Sequence, residues 1–347
     1  MLKFWNCFFF GVSASHVADY GFGEEEKNFT GFAKFFDENI RPKALLIEEI
    51  RIRDLKRFML YSRISFVGIA IIWVVAYHIF QNHFFSVRDT IDIVTYAMGA
   101  TGLCFLLPYS VIKKFSLEIK KNLFEDVFRF CNLDYIPEGS KAISHYRPFN
   151  ITPDYKPLIS KTEDMVQGQY KNVDFRFEEL DLQVEQGSGN RRRSLRTFKG
   201  VVVLLKFNKN FSGRTILKSD LGMIRNFSRK MVESRLKDLE KVALEDLEFE
   251  KIFEVYSSDQ IEARYLLTTS FMERIKKLSN FFYAKKIEAS FYNDCLLLQF
   301  SSSINLFKVD SIFNQIDIAI ESRKVLEQLL LIYDLIDELK LGEKTGL

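Results

Sequence analysis

Three acidic residues near the middle of the chain are the first candidates for chemistry. Asp164, Glu178 and Glu179 supply carboxylates, and two carboxylates in different surroundings can serve as proton donor and proton acceptor. Acids on strand edges also face water and pair with bases, so structural ion pairs are the alternative interpretation. A catalytic role requires these carboxylates to meet other polar groups in a closed pocket.

A second polar group follows in the stretch Phe249–Thr268, which contains Glu262, Arg264 and Tyr265. These three side chains could hold a small ligand. Glu262 also stands three residues after Asp259, which is the spacing of a helix-capping box. Arg264 is equally suited to pairing with an acid or a backbone carbonyl. The sequence therefore leaves a structural role and a ligand-binding role open for this group.

Motifs of known catalytic and cofactor sites are absent from the sequence. There is no phosphate-binding glycine-rich loop, no HExxH, no GxSxG and no kinase signature. Ser257, Ser258 and Asp259 have no histidine nearby in the sequence, so a hydrolytic triad is unsupported. The four cysteines include no CxxC pair, and the four histidines are scattered. We therefore expect no catalytic residue, no metal site and no cofactor.

A run of arginines separates two predicted strands. It consists of Arg191, Arg192, Arg193 and Arg196. A solvated hairpin is one interpretation of this run. The other is contact with an anionic membrane surface or a partner, since each basic residue near such a membrane contributes roughly 1 kcal/mol. The net charge of +3 is too small to indicate nucleic-acid binding.

Two apolar stretches precede all of these residues, at Ile64–Phe80 and Ile91–Ile112. A helix needs about 20 apolar residues to cross a bilayer core about 30 Å thick. Asp92 carries the only acidic or basic charge in the two stretches, and it lies at an edge. We therefore predict a membrane α-helical hairpin of two transmembrane helices. Because no charge lies in the middle of a span, a transporter or channel subunit is the less favoured function.

The charges that flank the spans predict their orientation. Lysines and arginines are dense between Arg41 and Arg63 and again between Lys113 and Lys121, whereas the turn 81–90 holds only Arg88. Loops rich in lysine and arginine stay on the cytoplasmic side of a membrane. We therefore expect a multi-pass protein of the inner (plasma) membrane with both termini in the cytoplasm. The absence of a cysteine framework agrees with a reducing compartment.

Small residues in the second span allow another helix to approach closely. They are Ala97, Gly99, Ala100, Thr101 and Gly102. Packing of the two spans on each other is one interpretation, and self-association of the protein through the second span is the other.

The remaining segments give a domain plan. It consists of a poorly defined N-terminal segment (1–40), a basic amphipathic helix (41–63), the first span (64–80), an external turn (81–90), the second span (91–112), a cytoplasmic stem helix (113–131), a proline-rich linker (132–158) and a soluble domain (159–345). The first 20 residues resemble a targeting segment, but Asn6 interrupts their apolar run, so an interfacial or packed aromatic patch is the favoured interpretation.

The soluble domain reads as α+β, with antiparallel strands and a long C-terminal helix. Apolar and polar residues alternate over Asn172–Leu182, as in a half-buried strand. Asp259 with Glu262, and Ser270 with Glu273, have the spacing of capping boxes that begin two helices. Helical periodicity then predicts a helix from about Val309 to Leu341.

The stretch Phe249–Thr268, together with Phe271–Ile275, resembles bacterial DUF3137 proteins, which are sometimes labelled "galanin". The resemblance covers most of residues 40–340. It extends to EDMVQG at 163–168, EEL at 178–180, FKGVVV at 198–203 and FSGRT at 211–215. It carries no established activity. It implies a bacterial membrane protein, and it suggests a LemA-like membrane protein as a possible partner.

Two functional hypotheses follow. The first is a membrane-anchored cytoplasmic interaction or scaffold protein without catalytic activity, whose partners are the bilayer and another membrane protein. The second is a small-ligand sensor or enzyme with an unrecognised polar pocket, in which Asp164, Glu178, Arg264 and Tyr265 converge.

Overall fold

The computed structural model describes residues 29–82, 87–141, 143–151, 159–186, 193–219, 236, 238–244, 247–250, 252–303, 305, 307–309 and 311–343. The possible targeting segment and the tip of the external turn lie outside these residues, as do Arg191 and Arg192. The chain divides into two compact units. One comprises Met1–Asp126 and Lys308–Ser322, and the other Val127–Phe307 and Arg323–Leu347.

The first unit is built on long helices. Helix α1 runs without interruption from Lys43 to Asn82, α2 spans Val87–Cys104, and α3 spans Leu106–Phe130. Among the described residues, the helical stretches Lys43–Gln81 and Asp89–Phe130 are long and apolar enough to cross a bilayer. Helix α1 therefore joins the predicted basic helix and the first predicted span in one element.

The junction between α2 and α3 follows from Pro108. Proline has no backbone N–H, so it cannot donate to the carbonyl four residues earlier, and its ring clashes with that turn of the helix. The carbonyl concerned belongs to Cys104, where α2 ends. It instead accepts a hydrogen bond from Ser65 Oγ of α1 at 2.6 Å. Gly68 lies one turn further along α1. A Cβ added to Gly68 would lie 3.5 Å from Cys104 Sγ.

Below these stretches, ion pairs join α1 and α3 within the first unit. Lys43 pairs with Asp126, and Arg53 pairs with Glu118 at 2.7 Å. On α3, the residues that the sequence predicts to face inward are buried, namely Phe115, Ile119, Leu123 and Val127. The predicted stem is therefore a pair of packed helices.

The second unit contains a sheet of nine described strands, all paired antiparallel. The strands are β1 Asp134–Ile136, β2 Ile159–Tyr170, β3 Val173–Gln186, β4 Arg193–Lys206, β5 Thr215–Ser219, β6 Glu240–Val242, β7 Phe253–Ser257, β8 Lys286–Tyr292 and β9 Cys295–Ser301. Their order across the sheet is β1-β2-β3-β4-β9-β8-β5-β7-β6.

Besides a single turn at Leu247–Glu250, three longer α-helices belong to the second unit or enter it. They are α4 Gln260–Leu266, α5 Thr269–Phe281 and α6 Ile318–Glu343. Helices α5 and α6 cover one face of the sheet. Phe271 of α5 contacts Phe291, and Tyr333 of α6 stacks on Tyr170 with ring centroids 3.9 Å apart.

The opposite face of the sheet carries a separate apolar cluster. Leu180, Leu182 and Val202 of the sheet pack there with Tyr146 and Phe149. Both aromatic residues belong to a 3-10 helix, Ser144–Phe149. The segment 132–158 is therefore more than a linker: it supplies β1 and part of the core. The α+β class with antiparallel strands is confirmed.

Two other predicted boundaries are wrong. The C-terminal helix begins at Ile318 instead of Val309, because Asp317 Oδ1 accepts the N–H groups of Ala319 and Ile320 and so caps it. Helix α5 is capped by Thr268, whose Oγ1 accepts the N–H of Phe271 at 3.1 Å, and not by Ser270.

Candidate functional site

The distinctive run at 249–268 folds into strand β7, a tight turn and helix α4. Asp259 caps the helix as the sequence predicts, because its Oδ1 accepts the N–H groups of Ile261 and Glu262, each at 3.0 Å. The reciprocal half of the capping box is not formed. The N–H of Asp259 donates to Ser257 Oγ at 3.0 Å, which leaves the carboxylate of Glu262 available for other donors.

Glu262 instead holds a loop that lies about 50 residues earlier in the chain. Its two carboxylate oxygens accept the backbone N–H groups of Ser212, at 2.6 Å, and Gly213, at 2.9 Å. Ser258 adds to this contact, because its Oγ accepts the N–H of Arg214 at 2.9 Å. A Cβ on Gly213 would stand 2.5 Å from that Oγ, so glycine permits the close approach.

The same loop is held on its other side by Arg214. The guanidinium carbon of Arg214 lies 3.9 Å from the centre of the Tyr292 ring, and Nη2 donates to the carbonyl of Pro148 at 3.1 Å. This role of Arg214 is not predicted from the sequence, although the FSGRT motif places glycine beside arginine. The FSGRT loop and the 249–268 run therefore fold as one structural unit.

The outer face of α4 is exposed. Ile261 is 67% exposed and Tyr265, one turn later, is 53% exposed. Arg264 lies between them and is also exposed, with a long hydrogen bond of 3.4 Å from its Nε to the carbonyl of Ala243. The inner face carries the buried Ala263. Two large side chains and one cation thus lie together on the exposed face of α4. Hydrogen bonds at the start of the helix hold it in place.

The acids near the middle of the chain have a different environment. Asp164 and Glu178 are both fully buried. Asp164 Oδ1 accepts the hydroxyl of Tyr135 at 2.5 Å, and Glu178 Oε1 accepts the hydroxyl of Ser140 at 2.9 Å. These carboxylates therefore fasten residues of 134–149 to the sheet.

Burial sets the acid–base properties of these groups. It raises the pKa of Glu178, and the hydrogen bond from Ser140 opposes that rise. It also raises the pKa of Tyr135, with a further contribution from the neighbouring carboxylate of Asp164. Glu179, the third predicted acid, is half-buried on β3.

The structure does not bring the four residues of the predicted pocket together. Asp164 and Glu178 lie on β2 and β3, near one edge of the sheet. Helix α4 lies beside β6 at the other edge, where Gln260 Nε2 donates to Glu240 at 2.9 Å. Strands β3 and β6 are third and ninth in the sheet order, so they are six steps apart, which corresponds to about 29 Å.

A comparison with protein families matches residues 196–341 to DUF3137, which is described as a protein of unknown function. This match confirms the resemblance to DUF3137 proteins over residues 196–341. The match contains the FSGRT loop, the run at 249–268 and helix α4. The buried acids Asp164 and Glu178 lie outside it.

The other comparisons add little to the family assignment. No curated protein sequence matches the chain. Among solved structures, the chain is similar to the crystal structure of the mycobacterial trehalose monomycolate transport factor A, TtfA, with 10% sequence identity and a TM-score of 0.34. That alignment covers 63% of this chain and 94% of that one.

The predicted arginine cluster ends at Arg196, the first residue of the DUF3137 match. Arg193 and Arg196 are exposed on β4. Arg196 Nε lies 2.9 Å from Asp181 Oδ1, so part of its charge is compensated. Arg191 and Arg192 fall outside the described residues. Contact of this cluster with anionic lipid stays a prediction.

Within the described part of the chain, no group of three or more His, Cys, Asp or Glu side chains is arranged to hold a metal ion. Cys104, Cys131 and Cys295 are free thiols. Burial raises the pKa of the Cys131 and Cys295 thiols to about 12, so both are protonated at neutral pH.

Proposed function

We propose that this protein is a membrane-anchored interaction protein, and that the outer face of α4 docks a protein partner. The observation that carries the proposal is the exposure of Ile261, Arg264 and Tyr265 side by side on a helix that is otherwise firmly held. Tyrosine and arginine are the residue types most enriched among those that dominate binding energy at protein interfaces. We name these three residues the α4 face.

Rigidity supports a docking role for the α4 face. Asp259 caps the helix, and Glu262 and Ser258 tie its start to the FSGRT loop. Surfaces that are ordered before binding lose less conformational entropy when a partner docks. Apolar area removed from water at such a surface contributes roughly 25 cal/mol per Å². The α4 face is therefore suited to binding and has no evident structural duty.

The membrane anchor is the second part of the proposal. Helices α1 and α2–α3 would cross the inner (plasma) membrane of a bacterium as a hairpin, with both chain termini in the cytoplasm. Support comes from their length and composition and from the lysines and arginines on both flanks. A partner in the same membrane, such as the LemA-like protein that the family resemblance suggests, would meet the α4 face at high effective concentration.

Self-association is a second candidate, and it rests on two glycines of α2. A Cβ added at Gly99 or at Gly102 would meet no atom within 4 Å. The close approach within the hairpin occurs at Gly68 and Cys104 instead. Small residues that the hairpin leaves uncovered are suited to contact with a helix of another molecule.

The sensor or enzyme alternative has less support. It requires Asp164, Glu178, Arg264 and Tyr265 to meet, and these residues occupy opposite parts of the sheet. A transport role also has little support, because Asp92 is the only Asp, Glu, Lys or Arg within the sequence of the two predicted spans.

Site-specific cross-linking in native membranes tests the docking proposal. A photo-reactive amino acid at position 265 in the full chain should yield a discrete cross-linked product. The same amino acid at Leu195, which is 43% exposed on β4, is the matched control. Arg264→Glu combined with Ile261→Ser should reduce the product at least tenfold without changing the melting temperature. Equal cross-linking from both positions, or a product that the double variant leaves unchanged, would overturn the proposal.

A further inference from the structure

The end of helix α5 has an unusual residue in its cap. Two backbone hydrogen bonds close the helix there, from Tyr283 N–H to the carbonyl of Asn280 and from Ala284 N–H to that of Ser279. This is the Schellman pattern, in which one residue adopts a left-handed conformation. Tyr283 occupies that position, with φ of 47°. Glycine or asparagine is usual there, because a bulky side chain is sterically disfavoured at positive φ.

Packing does not account for the tyrosine. Tyr283 is 70% exposed, which is more than Tyr265 of the α4 face. Tyrosine is unfavourable at this positive φ, and its side chain gains no burial there. Such a residue is a candidate for a role in binding instead of in folding.

A second exposed apolar residue lies at the same end of the sheet. Ile252, 45% exposed, directly precedes β7, whose first residue Phe253 pairs with Ser219. Ser219 Oγ in turn bonds both backbone groups of Ile287, at 2.8 and 2.9 Å. Ile252 leads into β7, and the turn after Tyr283 leads into β8. These two strands are two spacings apart in the sheet, which corresponds to roughly 10 Å.

Two lysines flank Tyr283 along the chain. Lys277, four residues before the end of α5, and Lys285, two residues after Tyr283, are both exposed. Among the described residues, neither forms an ion pair, and Glu273, one turn before Lys277, does not pair with it. Lys286 is already paired with Glu288 at 2.8 Å. We name Ile252, Lys277, Tyr283 and Lys285 the Tyr283 patch.

The composition of the patch identifies its occupant. Amphipathic aromatic rings beside lysines are characteristic of protein segments that lie in the headgroup layer of a bilayer. Lysine supplies a compact charge for anionic phosphate, and its flexible stem adapts to a fluid surface.

We propose that the Tyr283 patch binds the anionic lipid surface of the membrane in which the chain is anchored. The ring of Tyr283 and the side chain of Ile252 would enter the headgroup layer, while Lys277 and Lys285 would contact lipid phosphates. The inference rests on the membrane anchor of the proposed function but not on the α4 face. It gives the sheet domain an attachment to the bilayer of its own.

Hydrogen–deuterium exchange of the full chain in lipid nanodiscs tests this inference. The probe is a bilayer of phosphatidylcholine with and without phosphatidylglycerol. Amide exchange in the peptide that covers residues 278–287 should slow several-fold when phosphatidylglycerol is present. High salt should reverse this slowing, because screening weakens the contact of exposed lysines with anionic lipid.

The decisive variant is Tyr283→Gly with Lys277→Gln and Lys285→Gln. Glycine suits the left-handed cap, so this variant is expected to fold. Loss of each lysine should weaken the lipid contact by about fivefold. The matched control is Asn293→Gly, at a turn residue with φ of 54°, combined with Lys209→Gln, an exposed lysine elsewhere. The control should retain the slowed exchange.

Three results would overturn the inference. One is equal exchange in both lipid compositions, which would leave an acidic protein segment as the occupant. Another is slowed exchange that the triple variant retains. The third is failure of the chain to incorporate into nanodiscs, which would remove the membrane anchor as well. Incorporation without lipid-dependent protection would remove the Tyr283 patch alone.

Discussion

At the scale of single residues, Glu178 ties stability to pH. Its carboxyl group is fully buried, and burial raises its pKa above that of the unfolded chain. The stability that this group contributes is therefore fully present below the unfolded pKa, and it is lost as the pH rises through the higher folded pKa. Glu178→Gln keeps the acceptor for Ser140 without the ionisation. It should raise the free energy of unfolding at pH 8 by on the order of 1 kcal/mol, and the melting temperature with it, and change both little at pH 4.

Thermal unfolding of the full chain in detergent across this pH range measures the effect. Glu163→Gln is the control, because Glu163 is an exposed glutamate one strand away. Its substitution should shift the melting temperature equally at both pH values. A Glu178→Gln variant that is destabilised at pH 8 would show that the carboxylate is needed in its charged form.

Glu262 shows what spacing can and cannot predict about a residue. Its distance from Asp259 correctly indicates a helix start, since capping depends on neighbours along the chain. Its actual partners are the N–H groups of Ser212 and Gly213. No local pattern predicts a bond across 50 residues, because it depends on how strands β5 and β7 pair.

At the scale of secondary-structure elements, the break between α2 and α3 makes a testable contact. Pro108 leaves the carbonyl of Cys104 without a partner in its own helix, and Ser65 supplies the hydrogen bond. Ser65→Ala should therefore destabilise the packing of α1 on α2 by roughly 0.6 kcal/mol, the average for such bonds in membrane helices. Loss of helical circular dichroism on heating in detergent measures this.

The two residues of this contact should also be coupled. Pro108→Ala restores an N–H that can bond the Cys104 carbonyl within the helix, so Ser65→Ala should cost less in that background. Ser110→Ala is the control, because the Ser110 hydroxyl bonds the carbonyl of Leu107 in its own helix. Equal costs of Ser65→Ala in both backgrounds would contradict the assigned role of Pro108.

The elements that the sequence predicts well are those with a clear period. Strand β3 alternates apolar and polar residues, and α3 buries Phe115, Ile119 and Leu123 at helical spacing. Strand β2 has no such pattern, because a bulge places Asp164 at φ of 52° in the middle of its pairing with β3. The start of α6 is predicted too early, because Val309, Ile312 and Ile316 continue the apolar spacing of the helix. These residues are buried but lie before the helix begins.

At the scale of the whole molecule, the chain combines an apolar helical unit with a large sheet unit. The helical unit has an apolar surface in its upper part and paired charges in its stem. The sheet unit has a buried core on both faces, and its exposed apolar side chains include Ile261, Tyr265 and Tyr283. This division explains why composition alone predicts the two long apolar helices. The α4 face lies on a single helix, whereas the Tyr283 patch emerges only when the sheet brings separate segments together.

The orientation of the hairpin is the prediction on which the whole arrangement depends. Basic residues are dense before the first span, between Arg41 and Arg63, and after the second span, beyond Val111 on α3. The turn between the spans holds only Arg88. If either flank were translocated, several lysines and arginines would cross the membrane. Such residues favour the cytoplasmic side. A reporter fused after Leu347 and one that replaces Gln81–Asn82 should therefore respond from opposite sides of the membrane. Four lysines added beside Arg88 should weaken this orientation preference, whereas four glutamines at the same place should not. If both reporters lie on one side of the membrane, the hairpin is contradicted.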